Sequence, residues 1–188
     1  IRDIYLVRRV ADAVPFDRID SDVAGFYSAT DSAIAAFADV GEAGQMVLLH
    51  EYAHHYMLGL ANTVYPRWYV EGFAEYMSTA RFLPDRIEFG LADRNRGEWL
   101  GHEWESWMPL QRLLARDAGT RRQDSMAMFY AQSWLLTHYM FRGPGMLPKL
   151  SAYLKAVAAA EDPVAAFKAH VHPDLGDFQQ KLRSYVRG

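Results

Sequence analysis

Two histidines with a glutamate between them could carry chemistry in the first third of the chain. The segment from His50 to His54 reads HEYAH, and Glu51 directly follows the first histidine. Residues four apart on a helix lie on one face about 5–6 Å apart, so the two imidazoles could bind one metal ion. Around the helix axis, Glu51 is rotated from both histidines by about the angle that one residue adds. Its carboxylate could therefore lie beside the ion and act as a base on a water molecule that the ion polarises. The pattern therefore predicts a catalytic metal site.

The residues around this motif argue against an ordinary solvent-facing helix surface. MVLL precedes the motif and ML lies shortly after it, so a helix from 42 to an end near Gly59 is apolar on nearly every side. A helix with this pattern is predicted to be buried. An unpaired carboxylate and two imidazoles are costly to bury, whereas a bound metal ion satisfies all three groups together.

A second motif, PRWYVEGFAEY, contains Glu71, which follows His54 by 17 residues. Its order of aromatic residues, Glu-Gly, a small residue and Glu-aromatic resembles the second signature of the gluzincins, zinc peptidases whose third zinc ligand is a Glu on the following helix. The resemblance implies that Glu71 is the third ligand of a Zn²⁺ ion held by His50 and His54. Two histidines and one glutamate leave the fourth position for water, which is typical of catalytic zinc sites.

Two neighbours of Glu71 have supporting roles in this interpretation. Glu75 lies one turn further along the same face, where it could accept a hydrogen bond from the far ring nitrogen of a ligand histidine and fix its orientation. The alternative is an ordinary solvated or salt-bridged carboxylate. Gly72 would allow close packing between the two helices that carry the ligands.

The strongest resemblance is to the peptidase-MA-like superfamily, especially to its small bacterial members of unknown function. It extends from the N-terminal strands through both motifs to FYAQSWLLTHYM, and so covers most of the chain. It implies a metallopeptidase with an α+β fold, in which a short N-terminal mixed or antiparallel sheet packs on a mostly helical, zincin-like core and the active-site helix is buried.

The same resemblance suggests a residue that stabilises the transition state. In gluzincins a tyrosine beyond the glutamate ligand commonly donates a hydrogen bond to the developing oxyanion, and Tyr130, 59 residues after Glu71, matches it in position. A preset donor aimed at charge that forms only in the transition state lowers the barrier. The alternatives are that Tyr130 is a core residue of an amphipathic helix, or that His138 on the same helix is the donor.

The resulting hypothesis is a hydrolase of peptide bonds, with Glu51 as the general base and a peptide or protein as substrate. The family resemblance also implies that a strand in 24–38 pairs with the extended substrate through main-chain hydrogen bonds. The Gly-Ala-Met-Glu-Asn segment by which aminopeptidase relatives bind a free N-terminus is absent, which argues against an aminopeptidase.

Two other functions are open on the sequence alone. In the first, zinc only braces two helices of a non-catalytic module that binds polypeptides, although such a site does not need Glu51. In the second, the same site hydrolyses an amide that is not a peptide, and the site residues alone do not separate this activity from peptide hydrolysis.

The composition excludes several other classes of protein. The formal charge is -3 and basic residues are scattered, so an electrostatic phosphate-binding face for nucleic acid is not expected. No apolar run approaches the roughly 18 residues that a membrane-spanning helix needs. The chain has no cysteine, which excludes disulfides, thiolate zinc ligands and a cysteine nucleophile. The oligomeric state is left open.

The spacing of apolar residues and the positions of proline and glycine predict strands first and helices after them, which indicates an α+β fold. We expect one domain that comprises residues 1–188. The strands occupy about 1–40 and the helical, metal-binding part about 41–188. Strands are predicted at 4–9, twice within 24–38 around a turn at Thr30–Asp31, and at 86–92. Helices are predicted at 42–59, at 67–82, after Pro109, at 125–141, at 147–157, around 167–171 and at 178–185.

The remaining histidines have no partner pattern. His55 points about 100° away from His54, which favours packing or surface exposure, and His102, His170 and His172 are interpreted as surface residues. The opening residues IRDIYLVRR are typical of the inside of a domain, so the chain is expected to be part of a longer protein. A bacterial periplasmic or secreted location is favoured, with a cytoplasmic one as the alternative.

Overall fold

A computed structural model describes residues 3–7, 25–29, 34–39, 42–60, 63–91, 100–101, 106–119 and 125–187. The chain divides into two compact units: Ile1–Ala61 with Met77–Leu91 form the first, and Asn62–Tyr76 with Ala92–Gly188 form the second. Compactness alone does not decide whether two units fold as one domain, so the single domain stays a prediction. Within the described ranges, no helix has both the length and the apolar character that crossing a membrane requires.

The first unit begins with a three-stranded mixed sheet. Its strands are β1 (Asp3–Val7), β2 (Gly25–Ala29) and β3 (Ile34–Asp39), in the order β1-β3-β2. β1 runs parallel to the central β3 and β2 runs antiparallel to it. This confirms the short N-terminal mixed sheet and the two strands within 24–38, while the turn at Thr30–Asp31 lies outside the described residues.

Helix α1 (Glu42–Leu60) follows β3 and packs against β3 and β2. Ala53 and Met57 are buried, but Tyr52 and Tyr56 remain 50% and 54% exposed. The prediction that this helix is buried on all sides is therefore wrong. A helix that packs on a sheet buries one face, and tyrosine tolerates the opposite face because its ring is apolar and its hydroxyl is polar.

Helix α2 (Arg67–Ser78) begins after Pro66, whose carbonyl accepts hydrogen bonds from the backbone N–H groups of Tyr69 and Val70. Its start is as predicted, but the predicted continuation to residue 82 is wrong. The chain instead turns after Ser78 and forms a small antiparallel hairpin.

The hairpin pairs β4 (Arg81–Phe82) with β5 (Ile87–Glu88) in the first unit. Pro84 lies in its turn, which is closed by a 2.9 Å hydrogen bond from Leu83 N to Arg86 O. The fixed φ of proline suits such a turn. The predicted strand at 86–92 is therefore reduced to two residues.

The second unit contains the predicted C-terminal helices. They are α3 (Leu110–Leu114), α4 (Met126–Arg142), α5 (Met146–Ala158), α6 (Pro163–His170) and α7 (Leu175–Arg187). Local signals set their ends: the Asp162 side chain accepts from two N–H groups at the start of α6, and Gly145 takes a φ of 69° between α4 and α5. The α+β order of strands followed by helices is confirmed.

The core of this unit is aromatic. Trp68, Phe129, Tyr153, Phe167 and Phe178 are each at most 1% exposed. The Trp68 indole N–H donates to the Tyr153 hydroxyl over 3.0 Å and thereby joins α2 to α5. Burying these side chains supplies a large share of the hydrophobic stabilisation, and the hydrogen bond satisfies two polar groups that would otherwise be costly to bury.

Gly72 of α2 makes its closest approach to α4. A Cβ at this position would collide with the Ser133 carbonyl oxygen and the Thr137 hydroxyl, and would lie 2.7 Å from the Ser133 carbonyl carbon. The prediction that Gly72 serves the packing of α1 against α2 is therefore wrong about the partner, because the backbone that requires a glycine here belongs to α4.

Candidate metal centre

His50 and His54 lie on consecutive turns of α1, as predicted, and their imidazoles converge. Their Nε2 atoms are 3.0 Å apart, with the ring centroids at 4.6 Å and the ring planes at 82°. One ring can donate its N–H to the other at this distance. The i, i+4 spacing alone explains the approach, because both side chains project from the same helix face.

The separation of the two nitrogens fits a shared zinc ion. Two Zn–N bonds of about 2.0–2.1 Å at a tetrahedral angle place the nitrogens about 3.3–3.4 Å apart. The observed 3.0 Å requires only a slight opening of the pair. A metal ion would replace the contact between the two rings and use a lone pair from each.

Glu71 supplies the third ligand atom. One nitrogen from each histidine and one carboxylate oxygen of Glu71 lie within 4.8 Å of one another, and all three residues are half-buried. Among the described residues this is the one group of three or more His, Asp or Glu side chains that could hold a metal ion. The predicted ligands are thus brought together, and the group could bind a metal whose identity the geometry does not fix.

The two carboxylates predicted to assist the ligands differ in burial. Glu51 is half-buried and follows His50 directly on α1, while Glu75 is only 8% exposed and lies one turn after Glu71 on α2. Burial of a carboxylate requires polar partners or a nearby positive charge. The hydrogen bond predicted from a ligand histidine to Glu75 stays a prediction, as does the role of Glu51 as the base.

Tyr130 lies in the first turns of α4 and is half-buried, with its ring centroid 5.7 Å from that of Phe129. Part of the Tyr130 side chain is therefore accessible to solvent, unlike that of a core residue. Its role toward an oxyanion stays a prediction.

His138, the alternative donor, is held in an aromatic cluster formed by Tyr76, Trp134 and Tyr185. The Tyr185 hydroxyl lies 2.8 Å from Nδ1 of His138, within hydrogen-bond distance. Burial, and secondarily the positive charge of Arg142, lower the pKa of the imidazole below its usual value. These contacts give His138 a packing role within the helical unit, and the sequence shows no signal for its pairing with Tyr185.

The other histidines separate into three groups. His55 is half-buried beside Tyr52, at 6.2 Å between ring centroids, and His170 is exposed, both in line with the predictions. His172 is not a simple surface residue, because its Nε2 lies 3.1 Å from the Asp177 carboxylate and its Nδ1 contacts the backbone of Asp174. His102 lies outside the described residues.

Comparisons of the chain with protein-family models, with curated proteins and with solved structures give no match. The function is therefore inferred from the chain's own residues and their geometry.

Proposed function

We propose that this protein hydrolyses peptide bonds with a zinc ion bound by His50, His54 and Glu71. The observation that carries the proposal is the convergence of these three side chains, with Glu51 beside the first ligand. A structural site needs no such carboxylate next to its ligands, whereas hydrolysis needs a base. The HEYAH motif and the closeness of Glu71 to the two histidines are independent observations, because Glu71 lies outside HEYAH.

The donor set favours zinc among the metals that proteins commonly bind. Two imidazole nitrogens and one carboxylate oxygen are the ligands of a frequent catalytic zinc site, and they leave a position for water or substrate. Calcium and magnesium prefer sites made of oxygen ligands. When bound, zinc supplies Lewis-acid polarisation of a carbonyl and of a water molecule.

Glu51 has the central role among the protein's own groups. Its carboxylate accepts the proton of the attacking water, and it later donates this proton to the nitrogen of the leaving amine. His50, His54 and Glu71 fix the position of the reacting centre against this carboxylate. Tyr130 donates a hydrogen bond to the oxyanion of the tetrahedral intermediate, where charge develops only during the reaction.

The position of β2 supports an extended polypeptide as the substrate. Among the strands that the structure describes, β2 is an edge strand of the three-stranded sheet, and it packs beside α1, the helix that carries HEYAH. The free side of an edge strand presents backbone N–H and C=O groups that can pair with another chain. This arrangement favours a peptide over a smaller amide, and the zincin-like interpretation of the fold is part of the same proposal.

The proposal is tested by incubating the zinc-loaded protein with a peptide mixture and identifying new termini by mass spectrometry. Glu51→Gln is the matched control, because it keeps the size and polarity of the side chain but cannot accept the proton. We expect cleavage with the native protein and a loss of at least about 100-fold with Glu51→Gln. Equal cleavage by both would exclude Glu51 as the base, and no cleavage by the native protein would contradict the assigned activity.

A further inference from the structure

A groove in the second unit has no role in the proposed hydrolysis. It holds about 590 Å³ and is lined by α5, the end of α4, the first turn of α2 and residues just before α2. Its walls are mainly apolar, and they include Tyr65, Phe141, Leu147, Leu150 and Leu154. The volume is within the range of about 300–1,000 Å³ that is typical of sites for small ligands.

Polar side chains also line this apolar groove. Tyr69 is only 9% exposed and lines the groove, and its hydroxyl has no hydrogen-bond partner among the residues that the structure describes. Lys155 and Ser151 are exposed, and among the described residues the Lys155 ammonium has no ion-pair partner and the Ser151 hydroxyl has no hydrogen-bond partner. The Tyr69 ring is buried but its hydroxyl is not a fully enclosed atom, so the hydroxyl can form a hydrogen bond with a ligand in the groove.

The groove is distinct from the metal centre. Tyr69 and Glu71 are two residues apart on α2, which rotates them by about 200° around the helix axis. Tyr69 therefore faces the groove from one side of α2 while Glu71 projects from the other. The Trp68–Tyr153 hydrogen bond, 3.0 Å long, fixes α2 to α5 next to this groove.

We propose that this groove binds a small amphipathic carboxylate, that is, an apolar chain ending in one carboxylate group. The three leucines and the aromatic rings contact the apolar chain. Lys155, the one charged residue among those that line the groove, pairs with the carboxylate. The hydroxyl of Tyr69 or Ser151 donates a hydrogen bond to it.

The positive charge of Lys155 favours a carboxylate over other ligands that have an apolar chain. The headgroup of a cationic amphiphile would be repelled by the Lys155 ammonium. A neutral alcohol could not form an ion pair with it. Lys155 is an exposed residue of the lining, where solvent partly screens the ion pair, so the sign of the headgroup should change the affinity by a modest factor.

The test is a calorimetric titration of the full chain with decanoate, with 1-decanol and decyltrimethylammonium as ligands of the same chain length. Each titration is made with zinc-loaded protein and with protein dialysed against a chelator, because a carboxylate could also bind zinc itself. We expect one decanoate per chain in both forms, and weaker binding of the other two ligands. Since binding is measured without catalysis, the result is independent of whether the protein cleaves peptides.

Three variants locate the site. Lys155→Gln should weaken decanoate binding about two- to fivefold, and Tyr69→Phe by a similar factor, since each removes one polar contact and leaves the groove open. Ser151→Trp, which places an indole in the groove from an exposed helix position, should abolish binding. Lys168→Gln is the matched control, because it makes the same charge change at an exposed site on α6 and should bind like the native protein.

The proposal is overturned by any of three results. The first is no binding of decanoate to the native chain, and the second is equal affinity for decanoate and decyltrimethylammonium. The third is native affinity in both Lys155→Gln and Ser151→Trp, which would indicate adsorption elsewhere on the surface.

Discussion

The Nε2 atoms of His50 and His54 lie 3.0 Å apart on consecutive turns of α1. This relationship is local, because it depends only on helical geometry and on two rotamers. It brings together two ligand atoms for a metal with little rearrangement. The two imidazoles are therefore already close together before a metal ion binds. This lowers the entropic cost of ordering them on binding, which favours metal binding.

Removing one ligand histidine should remove most of the metal affinity. We expect His54→Ala to bind zinc more than about 100-fold more weakly than the native chain, because one of three protein ligands is lost. Zinc content after dialysis and competition with a chromophoric chelator measure the effect. His170→Ala, at an exposed histidine of α6, should retain native zinc content. Equal zinc content in His54→Ala and His170→Ala would exclude the proposed site.

Tyr130 and His138 can be separated by kinetics. If Tyr130 stabilises the oxyanion, Tyr130→Phe should lower kcat by about 10²–10³ with little change in KM, because the hydrogen bond forms mainly in the transition state. His138→Asn should leave kcat within a factor of a few, since it keeps an acceptor for the Tyr185 hydroxyl. The reverse pattern would assign the oxyanion donor to His138.

Local patterns in the sequence predict the residues that could hold a metal ion and most of the helices. The spacing of His50 and His54 is sufficient because one helical turn fixes their separation, and Pro66 marks a helix start through the fixed φ of proline. The burial of α1 is predicted less well. Tyr52 contributes to an apolar pattern, yet it is half exposed, because sequence periodicity does not show which side of a helix is covered.

Contacts between distant segments are not predictable in this way. Gly72 requires its small size because of Ser133 and Thr137, some 60 residues further along the chain, and no local pattern indicates that pairing. The same is true of His138 and Tyr185, which meet only when α7 packs against α4. The groove lined by Tyr69 and Lys155 also depends on such packing.

The close approach of α2 to α4 predicts a large effect of a small substitution. Gly72→Ala should lower the free energy of unfolding by about 1–3 kcal/mol, because the added methyl group meets the backbone of Ser133, which cannot move without shifting α4. Urea unfolding measures the change. Gly101→Ala is the control, since a Cβ there meets no atom of the described residues within 4 Å, and it should change stability by less than about 0.5 kcal/mol. Similar stability of both variants would contradict the tight contact.

The environment of His138 predicts a pH-dependent stability. Its pKa is lowered in the folded protein, first by burial and then by the charge of Arg142, so the unfolded chain binds a proton more readily. The pKa of the neighbouring Tyr185 is raised, mainly by burial, so its hydroxyl stays neutral over this pH range. The free energy of unfolding should therefore fall as the pH is lowered from about 7.5 through the usual histidine range near 6.5. Below the pKa of His138 in the folded protein, this residue should cause no further loss of stability.

His138→Asn tests this linkage, because asparagine can still accept a hydrogen bond from the Tyr185 hydroxyl but takes up no proton. Urea unfolding at pH values between about 7.5 and 5 should show a smaller loss of stability in this variant than in the native chain. His170→Asn, at an exposed position, should retain the native slope. A native slope in His138→Asn would mean that groups other than the half-buried His138 imidazole cause the acid sensitivity.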